Sequence, residues 1–299
     1  MYRVRIAIGT LLLSLIGAVL WLDLRLETDI GTLLVLGLVV LGSFDEFLCM
    51  FKVRRGFRVL GALLAMTSLF GIWGVEHARF EAWSLQATLF FGIFCLLFWS
   101  MREYTLEKAT VGNHEQGDKF GIVGESALVA LGWLYLVLGL SHLLLLRFMD
   151  MGERGFGRPE ADGIALLLFL ILVAKGADIG GYLVGKRFGR KKLIPSISPG
   201  KSVEGTLGGL FLSAFFAFCF ARWVPPVTAL LEPVPAVGFG VLVGLSSLIG
   251  DLTESFLKRK AGIKDSKTLI PEFGGFFDLT DSLTFAAPLV YYSLRGLST

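Results

Sequence analysis

Residues 162–184 read DGIALLLFLILVAKGADIGGYLV. Continuous apolar character over such a run, with charges only near its ends and at one internal pair, predicts a helix of about 20 residues crossing the ~30 Å hydrocarbon core of a bilayer. The internal pair, Lys175 and Asp178, stands at i, i+3 on one helical face. Ionisable groups at that depth are costly unless they pair, face a wet cavity or take part in chemistry. Gly176, Gly180, Gly181 and Gly185 surround the pair, and such residues suit either tight helix packing or a ligand held against the backbone. A buried ion pair joining two helices is the structural alternative.

The rest of the 299-residue chain repeats the apolar signal. Hydrophobic residues make up 54% and aromatic residues 13%, and the mean hydropathy is +0.71, which excludes an ordinary soluble domain. Candidate spans fall at residues 6–22, 30–48, 57–75, 85–101, 120–146, 162–184, 205–224, 236–250 and 275–294. The expected fold is therefore all-α, a polytopic integral membrane protein with about nine transmembrane helices. The run 120–146 is long for one helix and 236–250 is short, so a tilt, a kink or a merged pair is expected there. Residues 1–160 read as amino-terminal membrane helices and 161–299 as the carboxy-terminal catalytic region of one membrane unit. The first run follows Arg3 and Arg5 but lacks a small-x-small cleavage pattern before Asp23, so it reads as a retained helix.

Charge distribution sets the expected orientation. Arg3 and Arg5, then Lys52, Arg54, Arg55 and Arg58, then Lys186, Arg187, Arg190, Lys191, Lys192 and Lys201 occupy alternate connections, which the positive-inside rule makes cytoplasmic. The connections 23–29 and 76–81 carry more acid than base. Cys49, Cys95 and Cys219 lie in or beside apolar runs with no metal-type spacing, and His77, His114 and His142 are scattered, so neither a disulfide framework nor a zinc site is indicated.

Two polar segments carry the chemistry. In DLTESFLKRK, residues 251–260, the residues Asp251, Glu254, Ser255 and Lys258 share one helical face, and Asp278, Asp281 and Ser282 repeat the spacing at the head of the last apolar run. With Lys258, Arg259 and Lys264 beside them, these carboxylates suit divalent metal and phosphate held together. A solvated, ion-paired loop would look similar. Upstream, residues 187–210 supply Ser196, Ser198, Gly200, Lys201 and Ser202 just before a new helix, an arrangement suited to oxyanions although GxxxxGK[ST] is absent. A basic juxtamembrane loop alone more often marks topology or anionic lipid.

Taken together these segments resemble the phosphatidate cytidylyltransferases, also called CDP-diacylglycerol synthases. The resemblance rests on ADIGGYLVGKRFG, SPGKSVEGTLGG and GDLTES, and on Ser255, Lys258, Arg259, Lys264, Asp265, Pro271, Gly274, Gly275, Asp278 and Asp281. It implies attack of a phosphatidate phosphate oxygen on the α-phosphorus of CTP, giving CDP-diacylglycerol and pyrophosphate in phospholipid synthesis. It further implies Mg²⁺ on Asp251, Asp265, Asp278 and Asp281, with Glu254 in support and Lys264 in the catalytic group. Lys201, Lys258 and Arg259 would hold phosphates, with Asp178, Ser198, Ser255, Gly274 and Gly275 lining the substrate site. The implied partners are CTP, phosphatidate and the bilayer of the cell membrane, with the site facing the cytoplasm. A homodimer is left open, and no nucleic acid is expected.

The chain departs from the family pattern at three positions. Phe273 stands where a histidine is usual, Leu279 where an arginine is usual, and Val203 where a tryptophan is common. A membrane transferase acting on another lipid phosphate would use the same metal site, and a weakly active lipid-binding homologue would share the motifs. A secondary transporter would also show charges within spans, but related repeats in its halves are not evident.

Overall fold

The computed structural model describes residues 2–76, 95–103, 121–149, 151, 154–263 and 274–298. The long helices are α1 (Tyr2–Leu26), α2 (Ile30–Met50), α3 (Arg55–Glu76), α4 (Gly121–Arg147), α5 (Pro159–Phe188), α6 (Val203–Trp223), α7 (Pro233–Lys260) and α8 (Phe276–Ser298). Residues 95–103 are also helical. Six of the long helices, α2 to α7, are long and apolar enough to cross a membrane, and the chain is an all-α polytopic membrane protein. The expected span 85–101 lies largely outside the described residues.

Helix α8 falls outside that apolar set for a physical reason. Its first half carries Thr280, Asp281, Ser282 and Thr284, all at most 5% exposed, so this face meets protein rather than lipid. The long run 120–146 is one helix, Gly121–Arg147, with a π-helical turn at Trp133–Leu138. The short run 236–250 is the apolar part of α7, which continues unbroken through Asp251, Glu254 and Lys258. At ~1.5 Å per residue α7 and α5 reach roughly 42–45 Å, beyond the ~30 Å of hydrocarbon, so their charged ends can stand in the headgroup zone.

The basic connection after α5 is an ordered hairpin. Strand β1 (Lys192–Ile194) pairs antiparallel with β2 (Ser198–Ser202), Lys192 opposite Ser202 and Ile194 opposite Ser198. Its turn begins at Pro195 and closes with Ile197 N–H donating to the Ile194 carbonyl at 3.2 Å, as proline at the second position of a turn favours. Ser202 caps α6 by accepting from Gly205 N–H at 3.1 Å. The Glu204 carboxylate accepts from the backbone N–H of Arg190 at 3.0 Å and of Lys191 at 3.2 Å, which ties the hairpin to α6.

The core gathers Phe44, Phe47, Phe57, Phe169 and Phe277, each at most 1% exposed, with Phe47 edge-on to Phe277 at 6.1 Å between ring centres. At the end of the bundle away from the hairpin, buried Asp23 caps α2 by accepting from Gly31 N–H (3.0 Å) and Thr32 N–H (2.7 Å). Buried Arg147 pairs there with Asp29 at 2.6 Å. These contacts anchor α1, α2 and α4 and leave the opposite end to the charged residues of α5, α7 and α8.

Candidate active site

Close helix contact brings the charged residues together. A side chain at Gly180 would meet the Gly208 carbonyl, and one at Gly209 would meet the Ala177 carbonyl, so α5 and α6 touch backbone to backbone. Ser213 and Ser247 hydroxyls donate to the α5 carbonyls of Val173 (2.8 Å) and Ala174 (3.1 Å). Gly250 lies against the Asp281 carbonyl, which lets α7 and α8 cross where the acids stand. Dense backbone contact of this kind is what small residues provide between membrane helices.

At that crossing the carboxylates of Asp251, Glu254 and Asp281 converge, one oxygen of each lying within 4.8 Å of the others. Every member has a lysine. Lys201 pairs with Asp251, Lys258 pairs with Glu254 at 2.6 Å and with Asp278 at 2.6 Å, and Lys175 reaches Asp281 at 3.6 Å and Asp178 at 3.4 Å. Lys175 also donates to the Ser282 hydroxyl at 2.6 Å. Three convergent hard oxygen donors fit one Mg²⁺.

Beside the cluster, a cavity of about 520 Å³ opens between α5, α6, α7 and the hairpin. Its lining combines polar Asp178, Lys186, Lys201, Ser202 and Asp251 with apolar Ala177, Leu210 and Leu248. Burial pushes the Lys201 ammonium below the ordinary lysine range, opposed by the charges of Asp178, Asp281 and Glu254. An anionic ligand in the cavity would favour its charged form.

The structure thus joins Asp178, Lys201, Asp251, Glu254, Lys258, Asp278 and Asp281 in one network. Glu254, expected as support, stands inside the carboxylate group, whereas Asp278 turns toward Lys258. Ser255 is half-buried and Arg259 is exposed, as their positions on α7 dictate. Ser198 is half-buried in β2. Gly274 has φ +90° and lies against the Asp278 carboxylate, two independent demands for glycine. Lys264 and Asp265 lie outside the described residues, as do Phe273 and Pro271. Leu279 is half-buried on α8.

The partners of two residues escape a reading of the sequence. Lys175, whose pairing across two helices is one of the readings open, reaches Asp281 and Ser282 of α8 in particular, and Glu46 of α2 accepts from Phe277 N–H at 3.1 Å. The signal for Glu46 was a carboxylate inside an apolar run, which is costly without a partner.

Comparison with known proteins identifies the family. The family model described as Cytidylyltransferase family matches residues 3–297. The uncharacterized protein YnbB of Escherichia coli is 31% identical over 277 residues, 91% of this chain and 87% of its own. A protein of Haemophilus influenzae named phosphatidate cytidylyltransferase is 43% identical over 133 residues, 44% of this chain and 46% of its own. One of the same name from Synechocystis is 46% identical over 142 residues, 46% of each chain. The chain therefore matches about half the length of these two named enzymes.

Proposed function

Since the chain belongs to the cytidylyltransferase family, we propose that it transfers the cytidylyl group of CTP to phosphatidate. A phosphatidate oxygen forms a bond to the α-phosphorus while the bond from that phosphorus to the oxygen leading to the β-phosphorus breaks. The products are CDP-diacylglycerol and pyrophosphate, and the oxygen's negative charge passes to the leaving group. The observation that carries this reading is the juxtaposition of a carboxylate group and its lysines with a cavity that Asp251 and Lys201 help to line together with apolar residues. Phosphoryl transfer requires mainly positioning and charge neutralisation, and a cavity of two characters suits a substrate with an anionic head and acyl chains.

Mg²⁺, when bound, would neutralise charge on the triphosphate. Asp251, Glu254 and Asp281 are its proposed ligands, with Asp278 and Asp265 contributing from α8 and from the segment before it. Lys201 and Lys258 bind phosphate, each exchanging a carboxylate partner for the ligand, and Lys264 and Arg259 add positive charge along the nucleotide's path. Asp178 holds Lys175 in place, and Ser198 lies on the hairpin strand whose Gly200, Lys201 and Ser202 line the cavity. The site faces the cytoplasm, where CTP is supplied, a reading supported by the basic residues at that end of the bundle.

Leu279 in place of the usual arginine also supports a second reading, in which the acceptor is a different lipid phosphate. Purified protein in detergent with Mg²⁺, labelled CTP and phosphatidate should yield a lipid-soluble labelled product. Absence of product with phosphatidate, but turnover with another lipid phosphate, would select the second reading; absence with every acceptor would reject both.

A further inference from the structure

The acids of α8 stand on a helix whose first turn is fixed by a side chain more than two hundred residues away. Glu46 on α2 accepts from Phe277 N–H at 3.1 Å, one residue before Asp278. A side chain at Gly275 would collide with that same carboxylate. Gly275 has no left-handed φ, whereas Gly274 does at +90°, so the two adjacent glycines are required for different reasons. Gly274 makes the turn, and Gly275 leaves room for Glu46. The neighbouring contacts repeat the pairing of α2 with α8. The hydroxyls of Ser43 and Thr280 lie 2.9 Å apart, and Gly42 packs under the Phe276 ring.

From this geometry we infer that Glu46 is a positioning residue, which clamps the Gly274–Gly275 turn and the head of α8 so that Asp278 and Asp281 meet Lys258, Lys175 and the acids of α7. An anion at a helix amino terminus is favoured by the unsatisfied N–H groups and the dipole there, and a carboxylate acceptor forms a stronger bond than a neutral one. The amino-terminal half of the chain thereby contributes to the site without touching substrate. This role rests on the activity proposed above only for its kinetic consequence; the clamp itself is a property of the fold.

The test uses the full chain in detergent with Glu46→Ala, Glu46→Gln, Gly275→Ala and the Glu46→Ala/Gly275→Ala double variant. Amide hydrogen exchange across residues 276–281 is measured beside kcat and KM for CTP. Glu46→Ala should speed exchange in this turn about tenfold or more and lower kcat by a similar factor, with a smaller change in KM. Glu46→Gln, which keeps an acceptor, should recover most of both. Gly275→Ala should be harmful alone yet add little in the Glu46→Ala background, because both changes remove one contact. Unchanged exchange in Glu46→Ala, or additive losses in the double variant, would overturn the inference. If the wild-type protein makes no lipid product, the proposed activity fails while the exchange measurements still decide the clamp.

Discussion

A carboxylate with a lysine partner and two carboxylate neighbours meets opposed demands, and Asp251, Glu254 and Asp281 meet them by sharing. Each has its own lysine, Lys201, Lys258 or Lys175, yet their oxygens remain close enough to surround a cation. Changing Asp251 or Asp281 to Asn should therefore lower turnover at least ~100-fold, the scale of a few kcal/mol of lost transition-state stabilisation. Each change relieves repulsion among the acids but strips Lys201 or Lys175 of a charge partner, so the thermal unfolding temperature in detergent should fall modestly while the fold persists. Wild-type turnover in both variants would reject the assignment. Chelation should abolish the activity of the wild type, and added Mg²⁺ should restore it. Leu279 invites the converse experiment: Phe273→His with Leu279→Arg should retain activity with a KM for CTP equal to or below that of the wild type, since a guanidinium can bond phosphate where an isobutyl group cannot. Steady-state kinetics decide it, and loss of turnover in a folded double variant would indicate a pocket shaped for another substrate.

Helix crossings set the distances among the three convergent carboxylates. Because the Gly250 position abuts the Asp281 carbonyl, Gly250→Val should push α7 from α8, costing about 1–3 kcal/mol as overpacking does and lowering turnover by separating Asp251 from Asp281. Gly238 lies on the same helix with nothing within 4 Å of an added side chain, so Gly238→Val should leave melting and activity close to wild type. Equal melting temperatures for the two variants would contradict this account. Much of the element level was legible in the chain: hydropathy located α2, α3, α5 and α6 to within four residues, and the i, i+3, i+7 spacing placed Asp251, Glu254 and Lys258 on one face. Hydropathy ended α7 at residue 250 because it registers charge and not hydrogen-bonded continuity. It also missed the hairpin, whose short strands are set by the Pro195 turn and by Glu204. The identities of the α8 partners of Glu46 and Lys175 were not legible, because they are supplied by packing and not by sequence spacing.

For the molecule as a whole, the separation of charged groups between two ends of one bundle becomes a statement about the membrane. The hairpin, the end of α7 and the head of α8 share one end through the Lys201–Asp251 and Lys258–Asp278 pairs, while the Asp29–Arg147 pair belongs to the other. Helices of 28 and 30 residues keep the two ends roughly 40 Å apart, so they cannot lie on the same side of a bilayer. The excess of lysine and arginine around the hairpin supports the proposal that this end faces the cytoplasm. Single cysteines placed at exposed Ser196 and Lys260, in a background with Cys49, Cys95 and Cys219 changed to serine, should be reached by an impermeant thiol reagent only from the cytoplasmic side. Cysteines at exposed Glu27 and Phe156 should be reached only from outside. Labelling of Ser196 and Lys260 positions from opposite sides would break the site apart, because Lys201 and Asp251 could then not form one pair. Labelling of both from outside would leave the site intact but turn it away from its nucleotide, and a CTP-dependent activity would have to be abandoned.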